Sequence, residues 1–124
     1  PNLGREGPLF VHAWPMPLAS LARELPDNPG SADRLELYVD GLELANGFGE
    51  LTDPAEQRRR FEADLNNRAV AGRDPVPLDE AFLASLEEGM PPAAGMALGV
   101  ERLLMWLSGT QDIRDVLAFA WDER

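Results

Sequence analysis

The sequence lacks several residue types, and their absence restricts the chemistry open to it. It contains no cysteine and a single histidine, His12, which excludes disulfides, thiolate metal sites and clusters of histidine ligands. It has no apolar run of the length that a membrane-spanning helix needs, and no basic-then-apolar signal segment. We therefore expect a soluble, cytoplasmic protein without membrane contact.

Lysine is also absent, so that all eleven basic residues are arginine, against 22 acidic residues. The resulting formal net charge of −11 argues against broad, non-specific contact with nucleic acid, because such contact requires neutralisation of the phosphates. At 124 residues the chain is long enough for one domain with a hydrophobic core.

The apolar stretch from Ala93 to Leu107 is interrupted only by Glu101 and Arg102. Its glycines at positions 95 and 99 predict a strand that a ligand or another backbone approaches closely. The period then changes to i, i+3, i+4 and i+7, which predicts a helix with a buried apolar stripe: Val100, Leu103, Leu104 and Leu107. Arg102 lies in the first turn of this helix and would suit an anionic ligand; the alternative is a core unit whose arginine reaches water.

Residues 34–45 alternate between apolar and polar side chains around Asp40-Gly41, which predicts a two-residue β-hairpin. The expected pairs are Val39 with Leu42, Tyr38 with Glu43, Leu37 with Leu44 and Glu36 with Ala45. Glu36 and Glu43 then share one face, with Cβ atoms roughly 7–8 Å apart. Two such carboxylates suit a magnesium ion that bridges them to phosphate oxygens; the alternative is a solvent-exposed acidic face.

The residues that follow, Asn46, Phe48 and Glu50, share a face at i, i+2 and i+4. An amide, an aromatic ring and a carboxylate can together hold an amine-bearing substrate; the alternative is a turn-rich exit from the strand. Strict alternation places Glu43 and Asn46 on opposite faces, so a shared site requires a bulge near Ala45-Asn46. An unbroken ladder over residues 43–50 would refute that shared site.

Further elements are predicted on both sides of these segments. They are a strand over residues 9–14, one or two helical turns over 19–25, a long helix from Pro54 to Ala71 capped by Asp53, a second helix from Asp79 to Gly89, and a short helical turn with a terminal strand over 113–119. The triple arginine at 58–60 is interpreted as a solvated helix face.

Three stretches together resemble one enzyme superfamily. Residues 34–51, from Arg34 to Leu51, resemble the substrate-binding segment of class II lysyl-tRNA synthetases, and Gly95 to Met105 resembles their motif 3. Ile113 to Phe119 is similar to the segment that usually follows motif 3. Within the superfamily the chain looks closest to the elongation factor P β-lysine ligases. The resemblance implies an α+β fold with a mainly antiparallel sheet flanked by helices.

The resemblance also implies roles for individual residues. Glu36 and Glu43 match the carboxylates that bind ATP-associated Mg²⁺, and Arg102 matches the motif 3 arginine that meets ATP, with Gly99 beside it. The lysine pocket would comprise Asn46, Phe48, Glu50, Gly95 and Ala97, with Glu50 as the partner of the side-chain ammonium. Pro17 and Leu18 depart from the Ser and Gln that relatives often carry, so the resemblance does not support a substrate contact from residues 15–18.

Ala97 is the residue that separates the related families. Lysyl-tRNA synthetases resemble Gly-x-Gly-x-Gly at this position, whereas the ligases carry alanine in the middle, as in Gly95-Met96-Ala97-Leu98-Gly99. A methyl group at the pocket wall can select between α- and β-lysine, although such selection is typically worth about 1–3 kcal/mol.

Two of the motifs that define class II synthetases, motifs 1 and 2, are not found in the sequence, which begins at Pro1. We therefore expect residues 1–124 to be the C-terminal portion of one catalytic domain that is inactive alone. The homodimeric parent enzyme would use ATP and Mg²⁺ to activate (R)-β-lysine and transfer it to elongation factor P, without tRNA. The alternatives are a lysyl-tRNA synthetase that charges tRNA with α-lysine, and a non-catalytic synthetase-like binding module.

Overall fold

The computed structural model describes residues 2–121, and its centre is a four-stranded antiparallel sheet. The strands follow one another in chain order: β1 (Leu9–Pro15), β2 (Ser31–Val39), β3 (Leu42–Gly49) and β4 (Ala94–Leu98). The helices are α1 (Pro54–Val70), α2 (Glu80–Glu87) and α3 (Val100–Ser108). The predicted α+β class is confirmed. None of the helices within residues 2–121 is both long and apolar enough to cross a bilayer.

The hairpin between β2 and β3 turns at Asp40 and Gly41, whose φ angles of 49° and 81° belong to the turn type that matches strand twist. Val39 pairs with Leu42 and Tyr38 with Glu43, as predicted. The next two predicted pairs are wrong by one residue, because Leu37 pairs with Ala45 and Glu36 with Asn46. The extra residue on β3 is Leu44, which forms a β-bulge and is buried.

Both predicted helix starts are confirmed by their caps. The Asp53 carboxylate accepts hydrogen bonds from the backbone N–H groups of Ala55 and Glu56 at 2.9 and 3.2 Å. Asp79 caps α2 in the same way, with the N–H of Phe82 at 2.9 Å. The two helices pack through Phe61 and Phe82, whose ring centroids lie 6.0 Å apart.

The helical turns predicted for residues 19–25 are wrong. A 3₁₀ turn occupies Met16–Leu18 instead, and the chain beyond it runs alongside the sheet. Arg23 donates its N–H to the Gly49 carbonyl at 2.8 Å and accepts from the N–H of Asp33 at 2.9 Å. These backbone groups are thus satisfied by neighbouring strands, which leaves no need for a local helix.

The C-terminal elements differ from the prediction in two respects. In α3, Met105 is buried and Leu103 is half-buried, whereas Val100 and Leu107 of the predicted core stripe are 55% and 66% exposed, because it is the side bearing Met105 that packs most closely on the described fold. A 3₁₀ turn at Ile113–Val116 confirms the expected helical turn. The terminal strand predicted after it is not found within residues 117–121, which pair with none of the described strands.

Candidate functional site

The bulge at Leu44 brings Asn46 to the face of Glu36 and Glu43, from which strict alternation would separate it. The Asn46 side-chain amide donates from Nδ2 to Glu36 Oε1 at 3.2 Å and to Glu43 Oε1 at 3.3 Å. The ladder over residues 43–50 is therefore broken, and the condition for a shared site is met. Two carboxylates and one amide converge on one face of the sheet.

Glu36 is the most enclosed member of this group, with 3% of its surface exposed. Arg34 donates from Nη2 to Glu36 Oε1 at 2.6 Å, and the Tyr38 hydroxyl donates to Glu36 Oε2 at 2.6 Å. The hydrogen bond from the Tyr38 hydroxyl to Glu36 and the burial of the phenol raise the pKa of Tyr38 to about 12. The Tyr38 hydroxyl therefore remains a protonated donor throughout the ordinary pH range.

Arg34 is itself fixed on two further sides. Its Nη1 donates to the carbonyl of Leu18 at 2.8 Å, and its guanidinium carbon lies 5.0 Å from the centroid of the Trp14 ring. Sequence reasoning missed both Arg34 and Tyr38 as site residues. The signal was present, since Arg34, Glu36 and Tyr38 lie at i, i+2 and i+4 and must share a face of β2.

Strand β4 supplies the opposite wall of the site. Ala97 pairs with Asn46 and Gly95 pairs with Phe48, so the four residues lie on one face. A Cβ atom added to Gly95 would lie 3.2 Å from Glu50 Oε1, which places the Glu50 carboxylate beside the glycine backbone. The five residues predicted for a lysine pocket thus adjoin one another: Asn46, Phe48, Glu50, Gly95 and Ala97.

Arg102 reaches back from the first turn of α3 towards the hairpin. Its Nη1 donates to the backbone carbonyl of Glu43 at 2.7 Å, and its stem lies over Gly99, whose own N–H donates to the Leu44 carbonyl at 2.8 Å. Beside it opens a cavity of about 660 Å³ lined by Leu42, Arg102, Met105, Thr110, Gln111, Asp112 and Ile113. Arg102 is thus a cation at the edge of an open cavity, and it contacts the backbone of Glu43.

Glu36, Glu43 and Asn46 fit a hard cation that takes most of its ligands from water and substrate. Within residues 2–121 no group of three or more His, Cys, Asp or Glu side chains could enclose a metal ion. Mg²⁺ commonly uses one or two protein carboxylates and completes its shell with water and substrate phosphates. Glu36 and Glu43 meet that requirement, because both accept from the same amide. Among the described residues, the buried Asn46 Oδ1 has no hydrogen-bond donor, and it suits a donor from a ligand.

Comparison with protein families identifies the superfamily. The family model for class II tRNA synthetases (D, K and N) matches residues 3–123. The chain belongs to the class II tRNA synthetases. The antiparallel sheet and the glycine-bearing strand that leads into the Arg102 helix are therefore parts of a class II synthetase domain, and the resemblance stated from the sequence is confirmed at this level.

Among curated proteins, this class II synthetase chain is similar to elongation factor P–(R)-β-lysine ligases. It is 49% identical to the protein of Edwardsiella ictaluri over 122 residues, which are 98% of this chain and 38% of that protein. The corresponding values are 49% over 119 residues for Proteus mirabilis (96% and 37%). They are 48% over 120 residues for Pectobacterium atrosepticum (97% and 37%). The chain thus spans little more than a third of the length of these relatives.

Proposed function

We propose that the protein carrying this chain is an ATP-dependent ligase that activates (R)-β-lysine and transfers it to a lysine of elongation factor P. The observation that carries the proposal is the convergence of Glu36, Glu43 and Asn46 at the Leu44 bulge. This convergence occurs in a chain whose relatives bear the ligase name. Residues 1–124 would form the C-terminal portion of the catalytic domain.

The amine-binding end of the site is formed by β3 and β4. Glu50 offers a carboxylate to the side-chain ammonium, Phe48 offers a ring face to its alkyl stem, and Asn46 Oδ1 is an unused acceptor for a second amino group. The Ala97 methyl group faces Asn46 across the strand pair. In this arrangement Ala97 would distinguish an amino group on the β-carbon from one on the α-carbon.

The nucleotide end is formed by the two acidic side chains and Arg102. Glu36 and Glu43 would hold Mg²⁺, which supplies charge neutralisation to the ATP phosphates when bound. Arg102 would meet the phosphate tail from the N-terminus of α3, where the helix dipole adds partial positive charge. The substrate carboxylate would attack the α-phosphorus and expel pyrophosphate to give an acyl-adenylate. Positioning and charge neutralisation suffice for that step, which needs no general base.

The decisive experiment is exchange of labelled pyrophosphate into ATP by the intact protein, with α-lysine and (R)-β-lysine compared. We expect clear preference for (R)-β-lysine. Preference for α-lysine would contradict the ligase proposal and indicate a lysyl-tRNA synthetase. Absence of exchange with both isomers would indicate a synthetase-like binding module instead.

A further inference from the structure

The Glu36 carboxylate is already engaged on most sides within the described structure. An ionised carboxylate has about four lone-pair positions for donors or metal ions. Glu36 Oε1 accepts from Arg34 and Asn46, and Oε2 accepts from Tyr38. The position that remains is on Oε2, so a cation that joins Glu36 has to approach that oxygen.

Arg34 cannot turn away from Glu36 without losing its other contacts. One terminal nitrogen donates to Glu36 and the other to the Leu18 carbonyl, while the guanidinium carbon lies over the Trp14 ring, 5.0 Å from its centroid. A lysine ammonium cannot serve two acceptors and an aromatic face in this way, because it lacks the planar fork. Arg34 therefore holds Oε1 in one place and supplies the counter-charge of a carboxylate that is 3% exposed.

Tyr38 fixes the second oxygen. Its hydroxyl donates to Oε2 at 2.6 Å, and Tyr38 pairs directly with Glu43, the second acidic residue of the site. Rotation of the Glu36 carboxylate about its last bond would break the hydrogen bonds of Tyr38 and Arg34 together. One orientation is thus maintained from both ends of the carboxylate.

We propose that Arg34 and Tyr38 are positioning residues that orient the Glu36 carboxylate and thereby set the affinity of the site for a divalent cation. This inference rests on the proposed function, since it requires Glu36 to be a cation ligand. Outer partners of metal-binding side chains commonly change metal affinity by about 10–100-fold when they are removed.

The test is a Mn²⁺ titration of the intact protein in the presence of a non-hydrolysable ATP analogue, with free Mn²⁺ measured by electron paramagnetic resonance. We expect Tyr38→Phe and Arg34→Lys each to weaken Mn²⁺ binding by about 10-fold or more. The matched control is Arg23→Lys. Arg23 forms an ion pair with Asp33 at 2.8 Å. Asp33 precedes Arg34 by one residue on β2, so its side chain lies on the face of the strand away from Glu36. That variant should bind Mn²⁺ within twofold of the wild type.

The outcomes separate this inference from the proposed function. If Glu36→Gln weakens Mn²⁺ binding while Tyr38→Phe leaves it unchanged, the positioning role is overturned and the metal assignment stands. If wild type and Glu36→Gln bind Mn²⁺ alike, or the wild type does not bind Mn²⁺, the positioning role and the metal assignment are both overturned. Tyr38→Phe removes one hydroxyl, so it decides the question even if Arg34→Lys fails to fold. A purely structural effect would lower the melting temperature and leave Mn²⁺ affinity unchanged.

Discussion

At the scale of single residues, the Ala97 methyl group is the feature of the proposed pocket wall that we expect to bear on substrate choice. It faces Asn46 across β3 and β4. We predict that Ala97→Gly shifts preference towards α-lysine by about tenfold, since the placement of one methyl group is worth about 1–3 kcal/mol. The measurement is the ratio of kcat/KM for the two isomers in pyrophosphate exchange.

Ala94→Gly is the control for that substitution. Ala94 begins the same strand, but it lies three positions from Ala97 and so occupies the other face of the sheet. The ratio of kcat/KM for the two isomers in Ala94→Gly should equal that of the wild type. An unchanged ratio in Ala97→Gly would mean that isomer selection lies outside β4.

Glu50 is predicted to act on the substrate amine and not on the nucleotide. Loss of a hydrogen bond to a charged group costs about 1.5–3 kcal/mol, so Glu50→Gln should raise KM for the lysine substrate by about 10–100-fold. KM for ATP should stay within twofold. Glu88→Gln, at an exposed position after α2, should change neither constant. An equal rise in both KM values would place Glu50 outside the amine pocket.

At the scale of elements, Arg60 connects α1 to residues 19–25, the segment that runs alongside the sheet. It contacts Glu56 at 2.8 Å and donates to the carbonyls of Ser20 and Ala22 at 3.1 and 2.7 Å. Arg60→Ala would leave the carbonyl of the buried Ala22 without this donor, so we predict a loss of about 1–3 kcal/mol in the free energy of unfolding. Denaturant unfolding of the two proteins measures the difference.

Arg59→Ala is the matched control for Arg60→Ala. Arg59 also contacts Glu56, at 2.7 Å, but its side chain is 67% exposed against 13% for Arg60. Exposed pairs contribute little, so we expect a change below about 0.5 kcal/mol. Equal losses in the two variants would show that Glu56, and not the carbonyl contacts, carries the effect.

We predict from Glu56, in α1, that the stability of the fold depends on pH. Hydrogen bonds from Arg59 and then Arg60 lower the pKa of Glu56 from 4.5 to about 2. Because the pKa is lower in the folded state, the stabilisation is fully present above pH 4.5 and is lost as the pH falls towards 2. The difference in unfolding free energy between wild type and Glu56→Gln should therefore shrink over that interval. A constant difference would contradict the assignment.

At the scale of the whole molecule, β4 and α3 carry several large apolar side chains that are exposed. Met96, Leu98 and Leu107 are 58%, 49% and 66% exposed. Such surfaces usually mark contact with another part of a protein or with a partner. We predict that the 124-residue chain alone associates in sedimentation experiments, and that Leu98→Gln with Leu107→Gln reduces the association.

Val70→Gln provides the comparison for this surface. Val70 is 90% exposed, but it lies at the end of α1, away from β4 and α3. Its substitution should leave association unchanged. A chain that is monomeric before any substitution would show that the exposed side chains of β4 and α3 do not drive contact.

The parts of the fold that the sequence predicts correctly are those with local causes. The Asp40-Gly41 turn follows from the φ angles that these residues tolerate, and the helix starts follow from side chains that cap their own backbone. Alternation along residues 34–39 correctly identifies the strand that bears Glu36. The glycine-bearing strand and the helix of Arg102 likewise follow from a change of period within one stretch.

The site itself depended on interactions between segments that local patterns do not contain. The sequence determined which polar residues were available and that Glu43 and Asn46 needed a bulge to meet. Only the tertiary structure placed that bulge at Leu44, since register is decided by packing across strands. It also decided that Arg34 and Tyr38 enclose Glu36, and that most of the apolar stripe of α3 is exposed. Alternation predicts only which face a side chain occupies, whereas contacts between strands determine what it meets there.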